Sequence, residues 1–105
     1  MINGHRNVPP SRLEELRIAG DKRITPPEEI KALSPGSLKS SYKFCLAETG
    51  EVSDVKVLQP SPYRMYDEDV IRKILRWKFQ PYLEDGKAIA VCSAITLIYS
   101  QHDPR

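Results

Sequence analysis

Residues Tyr42 to Val57 read YKFCLAETGEVSDVKV, and the alternation within this stretch sets the first half of the fold. Tyr42, Phe44 and Leu46 point one way along an extended chain, while Lys43, Cys45 and Ala47 point the other; the alternating run extends from Leu38 to Ala47. Val52 to Leu58 alternates too, with Val55 and Val57 opposite Asp54 and Lys56. A period of two is that of a half-buried strand. Between the runs lies Glu48-Thr49-Gly50-Glu51, a turn whose Gly50 tolerates positive φ. Register follows from the pattern. With Glu48 facing Glu51, Phe44 faces Val55 and Tyr42 faces Val57, so the apolar faces coincide. A one-residue slip sets Phe44 against Asp54. The expected loop therefore has two or four residues, because three would flip one strand.

Downstream, the period changes. Residues 60–66 read as a loop, Asp67 as an N-cap, and Tyr66 as a staple onto Ile71. From Glu68 through Arg76, Val70, Ile71, Ile74 and Leu75 follow helical spacing. Trp77, Phe79 and Pro81 come next, and the helix must end before that proline. After a turn at Glu84-Asp85-Gly86-Lys87, a long strand runs from Ala88 to Ser100. Ile89, Val91, Ile95, Leu97 and Tyr99 line one face of it, and Ala90, Cys92, Ala94, Thr96 and Ile98 the other. The order is strand, strand, helix, strand, which is an α+β fold of ββαβ type. Residues 37–100 carry it.

Residues 1–36 read as an irregular lead-in, cut by Pro9-Pro10, Gly20, Pro26-Pro27 and Pro35-Gly36. Ser11 with Glu14 reads as a capping box opening a short helix through Ala19 that Gly20 closes. Thr25 with Glu28 repeats the signature, with Pro26 at the first helical position and Ile30 and Leu33 on one face. Such short pieces do not stand alone. They either pack on residues 37–100 or remain a mobile lead-in. Residues 101–105 are a tail.

Composition narrows the function. A chain of 105 residues supports one core, burying roughly 65% of its unfolded surface. No apolar run approaches the ~20 residues of a membrane helix, and MINGHRNVPPSR at the start has no secretory core. An exported protein would carry its leader further upstream. A net charge of +2 gives no argument for nucleic acid. Arg72, Lys73, Arg76 and Lys78 do cluster, but Asp67, Glu68 and Asp69 precede them, and acids first with bases last complement a helix dipole.

Chemistry is missing. His5 and His102 sit near the ends with no Cys or Asp at ligand spacing, so no metal site is expected. There is no Gly-rich phosphate loop, no paired buried acid and base, and no histidine for Cys45 to use as a nucleophile. We therefore expect a protein that is not an enzyme and takes no cofactor. Cys45 and Cys92, both mid-strand, are either inert thiols of a cytosolic protein or one disulfide of an exported one.

The run Tyr42-Lys43-Phe44, Gly50-Glu51-Val52, Val55, Val57 and Ser61, followed by Asp67, Val70, Ile74, then Trp77-Lys78-Phe79-Gln80-Pro81 and Gly86-Lys87, resembles TonB C-terminal domains over residues 38–100. The Trp-basic-aromatic-x-Pro run is its most specific part. The usual Tyr-Pro motif upstream of the first strand is absent; Pro26-Pro27-Glu28-Glu29-Ile30 stands in its place. The cysteine pair is not a general feature of that family.

The resemblance implies a three-stranded antiparallel sheet in the order 2-1-3 with the helix on one face, and structural roles for Phe44, Gly50, Trp77, Phe79 and Pro81. It also implies a periplasmic domain of an inner-membrane-anchored protein. Such a domain carries force or energy from an inner-membrane motor, reached through the N-terminal region, to an outer-membrane or periplasmic protein segment. The alternative is a static adaptor in a periplasm-spanning motility or envelope machine. In the order 2-1-3, Cys45 lies opposite Cys92 and a disulfide between them is expected. The last strand is then an edge. Its stretch Ala94, Ile95, Thr96, Leu97, Ile98, Tyr99, Ser100 has no charge and no proline, the usual blunting devices of natural edges. It is expected to receive a partner strand, unless residues 1–36 cover it or two copies pair there as a homodimer.

Overall fold

A computed structural model describes residues 6–20, 24–32 and 36–100. The expectations placed on Met1, His5, Leu33, Pro35, His102 and the tail at 101–105 lie outside the described residues. Strands β1 (Arg6–Asn7) and β2 (Arg17–Ala19) flank helix α1 (Pro10–Glu14), and helix α2 (Glu28–Lys31) follows. The main body then runs β3 (Ser37–Leu46), β4 (Val52–Gln59), α3 (Arg64–Leu75), β5 (Lys78–Phe79), β6 (Tyr82–Glu84), β7 (Lys87–Ile89) and β8 (Val91–Ser100).

The fold is α+β with one main helix on a sheet, and within the sheet β4, β3 and β8 are neighbours in the expected order. The strand count needs correction. The sheet has four strands, β1-β8-β3-β4, because β1 adds in parallel beside Val91 and Cys92. A two-residue strand has no period to read, so only the main-chain pairing reveals it.

Register in the first hairpin is as the apolar pattern demands: Phe44 faces Val55 and Tyr42 faces Val57. The loop is not two or four residues but three. The Ala47 N–H bonds to the Glu51 carbonyl at 2.8 Å, leaving Glu48, Thr49 and Gly50 outside the ladder. A three-residue loop keeps the apolar faces together because the register shifts between Cys45 and Leu46, where Ser53 is an extra residue on β4. The Ser53 hydroxyl bonds back to the Cys45 carbonyl at 3.2 Å.

Gly50 has φ +92°, the left-handed residue that a three-residue hairpin loop takes. It also lies against β5: the Phe79 N–H donates to the Gly50 carbonyl at 3.1 Å, and a Cβ on Gly50 would overlap the Phe79 carbonyl. Gly50→Ala therefore combines left-handed strain with a backbone clash and is expected to cost about 2–3 kcal/mol in denaturant unfolding. Gly86, at φ +80°, has open space around it. Gly86→Ala should then show the strain alone, and equal losses at the two positions would remove the contact from the account.

Helix α3 begins earlier than its sequence signal. Its N-cap is Tyr63, and Asp67 sits inside the first turn. The Asp67 carboxylate is 6% exposed and reaches elsewhere, accepting the Tyr42 hydroxyl at 2.9 Å and the Ser61 N–H at 3.1 Å. It ties the 60–63 loop to the middle of β3, which a solvent-facing cap would not do. Burial and the neighbouring Asp67 carboxylate push the phenol of Tyr42 well above its ordinary value, so it stays a donor. Tyr66 is fully buried and donates to the Ile24 carbonyl at 3.1 Å rather than lying over the helix as a staple. The buried stripe is therefore Tyr66, Val70 and Ile74, while Leu75 is exposed. Asp69 pairs with both Arg72 and Lys73, so much of the basic cluster is neutralised on its own helix.

The lead-in packs. Leu13, Ile24 and Ile30 are buried in the same apolar cluster as Tyr42, Phe44, Val70 and Trp77. The expected helix from Ser11 to Ala19 is only Pro10–Glu14, with Pro9 as N-cap and no side-chain cap. Glu14 turns its carboxylate to Arg17 at 2.7 Å. The chain then extends as β2, where Arg17 pairs with Phe79 and the Gln80 N–H reaches the Leu16 carbonyl at 2.7 Å. Hydrogen bonds to β5 replace those of further helix. The second short helix likewise starts from Pro27, not Thr25. The last strand is shorter than the expected Ala88–Ser100. Asp85 and Gly86, both at positive φ, close a separate hairpin of β6 and β7, and β8 begins at Val91.

Candidate partner-binding edge

The site is built on β8. Its ten residues pair with β3 from Ser37–Ser100 to Leu46–Val91 without a register break. On the other side β1 reaches only Cys92, where the Val8 N–H donates to the Cys92 carbonyl at 2.8 Å. Pro9 then turns the chain into α1. Among the described residues, nothing pairs with β8 beyond that point on its outer side.

That one hydrogen bond fixes the direction of every later main-chain group. The N–H and C=O of a strand residue point to the same side, and the side alternates along the strand. Cys92 faces outward, so Ala94, Thr96, Ile98 and Ser100 aim their main-chain groups away from β3. Ile95, Leu97 and Tyr99 bond inward and turn half-buried side chains to the α3 face. On the opposite face, Thr96 shares a hydrogen bond with Ser41 at 2.9 Å, and Ile98 is 68% exposed. An uncharged edge with exposed side chains is a template for another strand.

Beside this edge, on the α3 face, lies a groove of about 540 Å³. Phe44, Trp77, Phe79, Ile95 and Leu97 line it from the sheet side, and Pro10, Ser11, Leu13, Glu14, Glu15 and Arg17 from the lead-in. Trp77 is 2% exposed and meets Phe44 edge-on at 5.6 Å between centroids. The Arg17 guanidinium sits 4.3 Å above the Trp77 ring, a cation–π contact that its ion pair with Glu14 holds in place. Sequence reasoning missed Leu13 and Arg17 here. Their only local signals are helical spacing and an i,i+3 acid–base pair, and neither says what they pack against.

On the far face, Cys45 and Cys92 are directly paired residues of β3 and β8, with Cα atoms 3.9 Å apart and the sulfurs bonded. Of the residues given structural roles, Phe44, Gly50, Trp77 and Phe79 are buried; Pro81 is exposed and separates β5 from β6. The structure brings Ile95, Leu97 and Tyr99 of the edge to the same side of the sheet as the aromatic cluster. Ala94, Thr96, Ile98 and Ser100 lie on the other side with the cysteines.

A family model described as the Gram-negative bacterial TonB protein C-terminal matches residues 37–100, the stretch from β3 to β8. The chain belongs to the TonB C-terminal domain family. Protein TonB of Pseudomonas aeruginosa is 29% identical over 70 residues, which are 65% of this chain and 20% of that protein. This TonB C-terminal domain chain thus spans a fifth of the length of that relative. The solution NMR structure of the Pseudomonas aeruginosa TonB C-terminal domain superposes with a TM-score of 0.62 at 24% identity, covering 85% of this chain and 88% of that one. A structure of the TonB2 protein from Vibrio anguillarum gives 0.56 at 26% identity, covering 84% and 85%. The two likenesses also cover much of the lead-in, which lies outside the family match.

Proposed function

We propose that this TonB C-terminal domain is the periplasmic, partner-engaging end of an envelope energy transducer. It is a binding module rather than an enzyme. It grips an extended segment of an outer-membrane or periplasmic protein by adding that segment to β8. Family membership supports the transducer role. The observation that carries the mode of binding is the open run Ala94–Ser100, uncharged, with the main-chain groups of Ala94, Thr96, Ile98 and Ser100 directed outward. Strand addition uses those groups for affinity and the flanking side chains for specificity. Each bond contributes only ~0.5–1.5 kcal/mol net. A handful of them, less the cost of ordering the segment, gives roughly micromolar affinity. A grip of that strength lets go between cycles of pulling.

Proline substitution tests this. Thr96→Pro removes an outward N–H and leaves the β3–β8 ladder intact, so it is expected to abolish binding while the domain stays folded. Leu97→Pro removes an inward N–H and is expected to unfold the edge. The measurement is an amide-shift titration with a partner segment recovered by cross-linking from envelope extracts. If shifts fall on β4 or α3 and spare residues 94–100, strand addition at β8 is wrong.

A further inference from the structure

We propose that the groove between α1 and the open edge reads the partner's sequence, taking two apolar side chains spaced two positions apart from the segment that adds to β8. This rests on the strand-addition reading above and specifies which segments that edge accepts. A strand added to β8 continues its pleat. Residues of the segment level with Ile95 and Leu97 turn to the groove side, and those level with Thr96 and Ile98 turn to solvent. The groove presents the half-buried Ile95 and Leu97, backed by the buried Phe44, Trp77, Phe79 and Leu13, with the Arg17 guanidinium lying over the Trp77 and Phe79 rings. Its volume of about 540 Å³ lies within the roughly 300–1,000 Å³ of sites that hold small ligands. The edge and the groove share Ile95, Thr96 and Leu97, so one segment meets both.

The register is closed at one end. Val8 already occupies the Cys92 carbonyl and Pro9 turns the chain into α1, which stays beside β8 as the groove wall, so an incoming strand stops at Ala94 and cannot slide toward Val91. The charges at the groove say what flanks the apolar pair. Glu14 and Arg17 neutralise each other at 2.7 Å, and Glu15 stands exposed on the rim. A basic residue beside the apolar pair complements it, and an acidic one is repelled.

The test uses three capped peptides on the whole domain: alternating threonine and leucine with lysine at both ends, alternating threonine and serine with the same ends, and the leucine peptide with glutamate ends. Amide and Trp77 indole shifts are followed together. The expected result is that the lysine-ended leucine peptide shifts residues 94–100 and the indole, and binds roughly tenfold or more tighter than the serine peptide. The glutamate-ended peptide should bind more weakly than its lysine-ended counterpart. Ser11→Trp, placed on an exposed rim residue, should fill the groove and bring the leucine peptide down to the serine peptide's affinity. Equal affinities with shifts at 94–100 would overturn the groove and leave strand addition standing. Shifts at the indole alone would mean the groove binds without the edge, which also overturns the proposal. If no peptide moves residues 94–100, strand addition itself fails and the groove reading falls with it.

Discussion

Trp77→Ala is expected to lower the stability of the domain by about 3–5 kcal/mol, as truncation of a buried aromatic does. For a domain whose total stability is roughly 5–15 kcal/mol, that is a large share, and the melting midpoint should fall by more than about 10 °C. The reason lies in how many segments meet on this ring. Phe44 of β3 packs edge-on at 5.6 Å, Phe79 of β5 at 6.2 Å, and Arg17 of β2 covers the face at 4.3 Å. Gly20 passes so close that a Cβ there would overlap the indole. Alanine would leave a cavity and release the contact that holds the lead-in on the sheet. The check is denaturant unfolding of Trp77→Ala beside Arg17→Ala, which removes the cover and keeps the ring, and should cost less. A Trp77→Ala variant that unfolds like the parent but no longer engages a partner would make the residue an interface anchor instead.

Removing the Cys45–Cys92 cross-link is the second large effect. The bond closes a loop with a sequence separation of 47 residues, for which chain entropy gives about 4 kcal/mol as an upper estimate. It joins β3 to β8 at the end of the ladder where β1 also attaches, next to the hydrogen bond between Val8 and Cys92. Loss of the bond should therefore loosen the closed end of the edge first. Melting with and without a reductant, with alkylation and mass spectrometry to count free thiols, measures it directly. Cys45→Ala with Cys92→Ala should melt near the reduced protein. A midpoint that does not move on complete reduction would show that the ladder alone holds this end.

Much of the architecture was legible from residue pattern. Tyr42, Phe44, Val55 and Val57 alternate so strongly that only one register keeps Asp54 out of the core, and the structure has that register. The loop, at three residues, departs from the two or four that strict alternation requires. The extra residue at Ser53 lets a three-residue turn serve the same pairing. The mark of that bulge is the three-position spacing of Val52 and Val55, which both face the core and so break the period of two. Asp67 shows the opposite error. An acid before an apolar helical run looks like a cap, and its real partners, the Tyr42 hydroxyl and the Ser61 N–H, become visible only once the strand and the loop converge on it.

The sequence by itself determined the hairpin register, the buried positions Val70 and Ile74, the uncharged last strand and the membership that the run Trp77 to Pro81 signals. These are carried by side-chain period, turn chemistry and spacing, which act between near neighbours along the chain. Tertiary structure alone decided that Arg6–Asn7 joins the sheet beside Val91 and Cys92, that Arg17–Ala19 pairs with Lys78–Phe79, and that Leu13 and Arg17 come to border the edge. Those pairings link residues some 60 to 85 positions apart through main-chain hydrogen bonds. Every residue except proline offers the same donor and acceptor for them. Strands this short have no period of their own, so what places them is the surface left by the core after it has formed.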